Sequence, residues 1–310
     1  MRSINLILLL LQATLTFGQR LDSVASGSVI VYYELYGKGD PVYFLAGGPG
    51  MDPDYLLPVI NELSDKYLCV LIYQRGTGRT QPAMDRDNFT IDMFSGDIEA
   101  VKNKLGHKKF TIFAHSWGGM LAMNYLTRYP DNVSRLILVD SGPFNFEYHN
   151  PVDAITARLS VEDLERIECL DTIINMLQKS SVSDKLGKEL EYLQTEKFNI
   201  RSKGWLFDKS LADKIKVLPG DYNFKVAPLV LGEMHQRNWN LQSLLEKSNA
   251  DVLIIQGRED PAGPEVSLGI DHALKGSQLH FIEQCGHFPW IEQPAEFFNT
   301  VDSFLNSKHN

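Results

Sequence analysis

The chain has 310 residues, 44% hydrophobic and 22% charged, a globular composition long enough for one large domain or two smaller ones with a substantial core. Its formal charge of −9 comes without any run of Lys and Arg, which sets nucleic-acid binding aside. Three cysteines, Cys69, Cys169 and Cys285, lie far apart with no CxxC pair, so no zinc or iron–sulfur site is indicated.

At the start, Arg2 leads into an apolar stretch from Ile4 to Leu11, and the small residues Thr16 and Gly18 precede Gln19. That is the pattern of a signal peptide spanning 1–18 and cleaved after Gly18. Asn5 and Gln12 interrupt the run, which falls short of the ~20 residues of a spanning helix. A secreted or periplasmic location without stable membrane insertion is expected.

Val29 to Leu35 then reads as a β-branched and aromatic strand, followed by short apolar runs at Val42 to Ala46 and Leu68 to Gln74. Between and after them, Leu56, Leu57, Ile60 and Leu63 share helical spacing, as do Phe94, Ile98, Val101 and Leu105. Phe110 to His115 is a buried-strand run, its following helix ends at Pro130, and Leu136 to Asp140 is a further strand. From about Pro143 to Lys247 charged, helix-favouring segments such as Val161 to Leu177 and Lys185 to Glu196 replace the strands, which predicts a helical cap over 143–245. Strands resume at Val252 to Gln256 and Leu279 to Ile282, and Pro294 opens a last helix. The repeated β-α-β order predicts an α/β fold: a mostly parallel sheet flanked by helices, from 25–142 and 246–310, carrying the cap as an insertion.

The sharpest chemical signal is Ala114-His115-Ser116-Trp117-Gly118-Gly119, set between a strand and a helix. A nucleophile on so tight a turn needs small residues two before and two after it, here Ala114 and Gly118, because larger side chains there would strike neighbouring backbone. A serine hydroxyl is a weak nucleophile until a base takes its proton, and the base needs a third group to fix its tautomer. Downstream strand ends supply both, in Gly257-Arg258-Glu259-Asp260 and Cys285-Gly286-His287. Asp260 is therefore the expected acid, ahead of its neighbour Glu259 and of Asp140, whose expected role is to hold the loop Ser141-Gly142-Pro143. His287 is the expected base; His115 adjoins Ser116 but should point away from it on the turn. Acyl transfer also needs donors for the oxyanion, expected from the backbone N–H of Trp117 and of Gly48 in Gly47-Gly48-Pro49-Gly50. Cys69 and Cys285 read as buried packing residues. No metal and no organic cofactor is indicated.

Together the GGPG at 47–50, Gln74-Arg75-Gly76-Thr77-Gly78-Arg79-Thr80, the elbow at 116–119, Gly257 to Asp260 and Gly286-His287 resemble the proline iminopeptidase branch of the α/β-hydrolases. The resemblance covers the sheet portion, with Ala46 in place of the family's His before GGPG and Tyr73 in place of its Asp before QRG. It implies a serine hydrolase that releases N-terminal proline or other residues from short peptides, with acidic cap residues binding the substrate's amino group. Glu233 is one candidate for that carboxylate, with Trp205, Phe207 and Trp239 as ring-binding aromatics, although a solvated Glu and aromatics packing the cap is the plainer reading. A carboxylesterase or lactone hydrolase with the same triad is the alternative. A non-catalytic binding protein is disfavoured by the intact Ser, Asp and His in the expected order.

Overall fold

The computed structural model describes residues 19–147, 151–179 and 184–307, so the expected signal segment lies outside the described residues. Among the described residues, no helix is long and apolar enough to cross a membrane. Eight strands form one sheet: β1 (Arg20–Ser26), β2 (Val29–Gly37), β3 (Pro41–Leu45), β4 (Leu68–Ile72), β5 (Phe110–His115), β6 (Val133–Val139), β7 (Asp251–Gly257) and β8 (Gln278–Ile282). Their order is β1-β2-β4-β3-β5-β6-β7-β8. β1 pairs antiparallel with β2 and β2 with β4, while the remaining pairings are parallel.

Parallel strands need crossover segments, and here these are helices laid on both faces. They are α1 (Leu57–Leu63), α2 (Ile91–Leu105), α3 (Trp117–Arg128), α4 (Val152–Ala157), α5 (Val161–Gln178), α6 (Asp184–Ser202), α7 (Val226–Gln236), α8 (Gln242–Leu245), α9 (Pro264–Ala273), α10 (Pro289–Glu292) and α11 (Pro294–Asn306). Local chemistry sets their ends. Thr90 caps α2 by accepting from the Met93 N–H at 3.2 Å, and Gly106 closes it in a left-handed conformation.

Because strand side chains alternate, Tyr43 and Leu45 pack on one face with α2 and α3, and Val42 and Phe44 on the other with α1 and α11. All six residues of β5 are buried, as its central position demands. The stretch 143–245, expected as the cap, divides in its packing. Val226, Val230, Met234, Trp239, Leu241 and Leu245 join the apolar cluster beneath the sheet's first face, whereas α5 and α6 pair with each other.

Neither β1 nor α9 is announced by the sequence. β1 is an edge strand carrying Arg20, Asp22 and Ser23, none of them fully buried, so its apolar alternation is weak. α9 begins at Pro264 directly after the acid loop, where Gly263 at φ 82° bends the chain into it.

Candidate active site

β5 runs into α3 through Ser116, which adopts φ 55° and ψ −120°, a conformation that non-glycine residues rarely hold. The strain is held by neighbours on both sides. The Ser116 N–H donates to Val139 O at 3.1 Å, and its carbonyl accepts from Gly119 and Gly142 N–H, both at 2.9 Å. A Cβ on Gly118 would stand 2.1 Å from the Leu45 carbonyl oxygen, so only glycine lets α3 start this close to β3. Ala114, its counterpart before the turn, is fully buried.

The loops after β7 and β8 bring the other two expected residues together. His287 Nδ1 lies 2.8 Å from Asp260 Oδ2, and both side chains are buried. Asp260 is further held by Ala262 N–H on Oδ1 at 2.9 Å and by Gln256 Nε2 on Oδ2 at 3.1 Å. Burial alone would push the Asp260 carboxyl up, but the charge and hydrogen bond of His287 hold it below the ordinary value of 3.8. An ionised Asp260 accepting the Nδ1 proton leaves Nε2 of His287 with a lone pair, as a base requires.

Ser116 and His287 both line two chambers, of about 130 and 140 Å³, that also share Gly48 and Trp205. The first is walled by Met51, Tyr55, Phe198, Ile215, Tyr222 and Phe288, and the second by Pro49, Met120, Pro151, Leu231 and Val266. Gly48 and Trp117, the expected N–H donors, line the second chamber together with Ser116.

The segment between β6 and β7 grips both loops. The indole of Trp205 lies over the His287 ring with centroids 4.1 Å apart, and its carbonyl accepts the His287 N–H at 2.9 Å. A Cβ on Gly286 would meet that same carbonyl oxygen at 2.1 Å, which accounts for glycine before the histidine. Glu292 ties the contact together, Oε1 accepting from Gly286 N–H at 2.8 Å and Oε2 from Phe207 and Asp208 N–H at 2.8 and 3.1 Å. Arg158 donates to the carbonyls of Glu259, beside Asp260, and of Leu206.

The competing candidates have other partners. His115 is buried with its Nε2 at 2.9 Å from the His287 carbonyl and its Nδ1 at 2.8 Å from Tyr55 Oη, which itself accepts from Gly47 N–H at 2.6 Å. A carbonyl only accepts, so Nε2 carries the proton; burial, then the nearby His287, keep the ring well below its ordinary value and neutral. Both ring nitrogens of His115 are thus engaged by groups other than Ser116, and the ring ties the glycine loop to the histidine loop. Glu259 Oε2 accepts from Cys285 N–H at 2.9 Å, joining the acid and base loops. Cys285 and Cys69 are buried, and burial pushes the Cys69 thiol up to about 12. Asp140 stands at φ 42° where β6 ends, its Oδ1 accepting from Gly257 N–H at 2.8 Å.

Of the cap candidates, Trp205 alone borders the chambers. Glu233 lies on α7, pairs with Arg237 at 3.2 Å and lines neither chamber; Trp239 is buried with its Nε1 on Asn124 Oδ1 at 3.1 Å; Phe207 is exposed. The Gln74-Arg75 motif is a strut. Gln74 Nε2 donates to Ala46 O and Gln74 Oε1 accepts from Trp117 Nε1, both at 2.9 Å, while Arg75 forks onto buried Asp97 at 2.7 and 2.8 Å.

Residues 40–294 match the family model described as the alpha/beta hydrolase fold. A proline iminopeptidase from Saccharolobus solfataricus is 26% identical over 302 residues, covering 90% of each chain. A cis-3-alkyl-4-alkyloxetan-2-one decarboxylase from Shewanella oneidensis is 29% identical over 290 residues, covering 89% of this chain and 85% of that one. The solved structure of a meta-cleavage product hydrolase from Pseudomonas fluorescens superposes with a TM-score of 0.66 at 23% identity, over 92% of this chain and 97% of the other. With a match that runs through residues 40–294, most of the chain, this protein belongs to the α/β-hydrolase fold family.

Proposed function

We propose that the protein is a serine hydrolase working through an acyl-enzyme on small, uncharged, apolar acyl compounds, with carboxylic esters and lactones ahead of peptides. In this reading Ser116 attacks the carbonyl, His287 takes the serine proton and returns it to the leaving group, and Asp260 steadies the imidazolium. The Gly48 and Trp117 N–H groups receive the oxyanion. Water then enters the vacated chamber and, with His287 again as base, releases the acid. The observation that carries the reading is the pair of small apolar chambers meeting at Ser116, one for the acyl part and one for the leaving group. Each is close in size to a cavity of ~150 Å³ that takes up one benzene ring.

Among the described residues, the one carboxyl group bordering either chamber is that of Asp140, which burial pushes well above its ordinary value. Burial thus works against an anion there to receive a substrate ammonium, which puts an amino-terminal substrate second. Aminopeptidase action remains the second reading because of the likeness to proline iminopeptidases over most of the chain, and the proline-rich wall of the second chamber suits a pyrrolidine ring. Purified protein should be assayed on short-chain aryl esters, prolyl arylamide and N-acetyl-prolyl arylamide. The proposal expects ester kcat/KM at least ~100-fold above the arylamides. Cleavage of free but not acetylated prolyl arylamide, with weak ester turnover, would overturn it and favour the peptidase.

A further inference from the structure

We propose that Asp140 is a protonated carboxylic acid that hydrogen-bonds the Asp260 carboxylate, so that the acid behind His287 is a pair of carboxyl groups sharing one proton rather than a lone aspartate. Asp140 is here a positioning residue, and the proposal rests on the serine hydrolase reading for its role in catalysis.

Both side chains are buried, Asp140 with 1% and Asp260 with 4% of its surface exposed. An oxygen of Asp140, an oxygen of Asp260 and a ring nitrogen of His287 all lie within 4.8 Å of one another. Two ionised carboxylates at that separation, away from water, repel strongly, so one of them holds a proton. The hydrogen bonds say which. Asp260 accepts from Ala262, Gln256 and His287, so every contact on it rewards a negative charge. Among the described residues, Asp140 accepts only from Gly257 on Oδ1, and its buried Oδ2 is reached by no N–H or hydroxyl donor. An oxygen in that position is best satisfied by carrying the proton itself and donating it. Burial first, then the charge and hydrogen bond of Asp260, drive Asp140 in the same direction. The other titratable or charged groups facing the pair are His287, His115, Glu292, Glu259, Cys285 and the Arg158 head group, bound to the Glu259 carbonyl.

The first test needs no activity. In the folded state Asp140 keeps its proton, whereas in the unfolded chain it loses it above its ordinary value of 3.8. Stability at this site is therefore present at low pH and lost as pH rises towards the raised folded value. Asp140→Asn keeps the shape, a donor for Asp260 and an acceptor for Gly257, but has no proton to lose, and the other facing groups are common to both proteins. The Tm of the variant relative to wild type should climb by ~5 °C or more from about pH 4 to about pH 8. A gap that stays level or shrinks overturns the proposal.

The second test reads the rate at which Ser116 is labelled by a fluorophosphonate. Asp140→Asn should slow it no more than about fivefold, while Asp140→Ala, which removes a hydrogen bond to a charged group, should slow it ~10- to 100-fold. If Asn costs as much as Asp260→Asn, Asp140 is the ionised acid; if Ala costs nothing, it positions nothing; either result overturns the proposal. Should the Ala protein fail to fold, the pH dependence of the Asn protein decides. Loss of wild-type labelling would instead count against the hydrolase reading and leave the Tm test in force.

Discussion

The strand ends of the sheet and the segment that covers them hold the same site by different means. On the sheet side, Ser116, Asp260 and His287 sit in the loops directly after the parallel strands β5, β7 and β8, and the backbone path itself delivers them. On the cap side, Trp205, Arg158 and the backbone of 206–208 reach the same loops through contacts between residues distant in sequence. The placement of Ser116, Asp260 and His287 is thus built into local geometry, whereas the shape of the chambers depends on how an inserted segment docks. Substitutions on the two sides should fail differently: sheet-side changes in kcat with folding intact, cap-side changes in substrate preference and loop order.

The largest effect should come from Asp260→Asn. It presents an amide to His287 Nδ1, favours the wrong tautomer, and should lower kcat by ~10⁴-fold with little change in KM, as in the serine-protease precedent. Steady-state kinetics on a short-chain ester checks this; a loss below about tenfold would remove the sheet-side account of the acid.

Trp205→Ala should have an intermediate effect. It deletes the ring stacked on His287 and merges the two chambers, so kcat/KM for a small ester should fall about tenfold while bulkier esters lose less or gain. Uniform loss across acyl lengths would mean that Trp205 only supports the loop and does not divide the site.

Glu233→Gln should have the smallest effect, under about threefold on any substrate, because its carboxylate is engaged by Arg237 away from both chambers. A selective loss on prolyl arylamide would show the cap binding an amino terminus through Glu233 and sharpen the peptidase reading at the expense of the ester one.

The same contrast explains what could be read without coordinates. The elbow was legible because its requirement is local: the close approach to Leu45 excludes any side chain at position 118, and a small residue fills position 114. Asp260 and His287 followed from their places at strand ends, and β3 to β7 emerged within a few residues of their limits because buried parallel strands are continuously apolar. β1 was missed because an edge strand can carry Arg20 and Asp22 without penalty. The Gly47–Tyr55–His115–His287 chain and the clamp by Glu292 on Gly286, Phe207 and Asp208 were not legible. Their partners are separated by up to 172 residues, and nothing in a single His, Tyr or Glu announces which backbone group it will meet. The sequence assigns Asp140 to holding the loop Ser141-Gly142-Pro143, but the bond it makes is from Gly257 N–H at the end of β7, and both that bond and its nearness to Asp260 depend on β6 and β7 lying side by side.

The central claim, that the strained turn carries an activated nucleophile, is most directly tested by locating covalent adducts. Wild-type protein should be treated with a fluorophosphonate and digested, and the modified peptide identified by mass spectrometry, in parallel with Ser116→Ala and His287→Ala. The account predicts one rapid adduct on Ser116, abolished in the first variant and slowed by at least ~10³-fold in the second, because a serine without its base is an ordinary alcohol. An adduct on another residue, or labelling of Ser116 at an unchanged rate without His287, would contradict it.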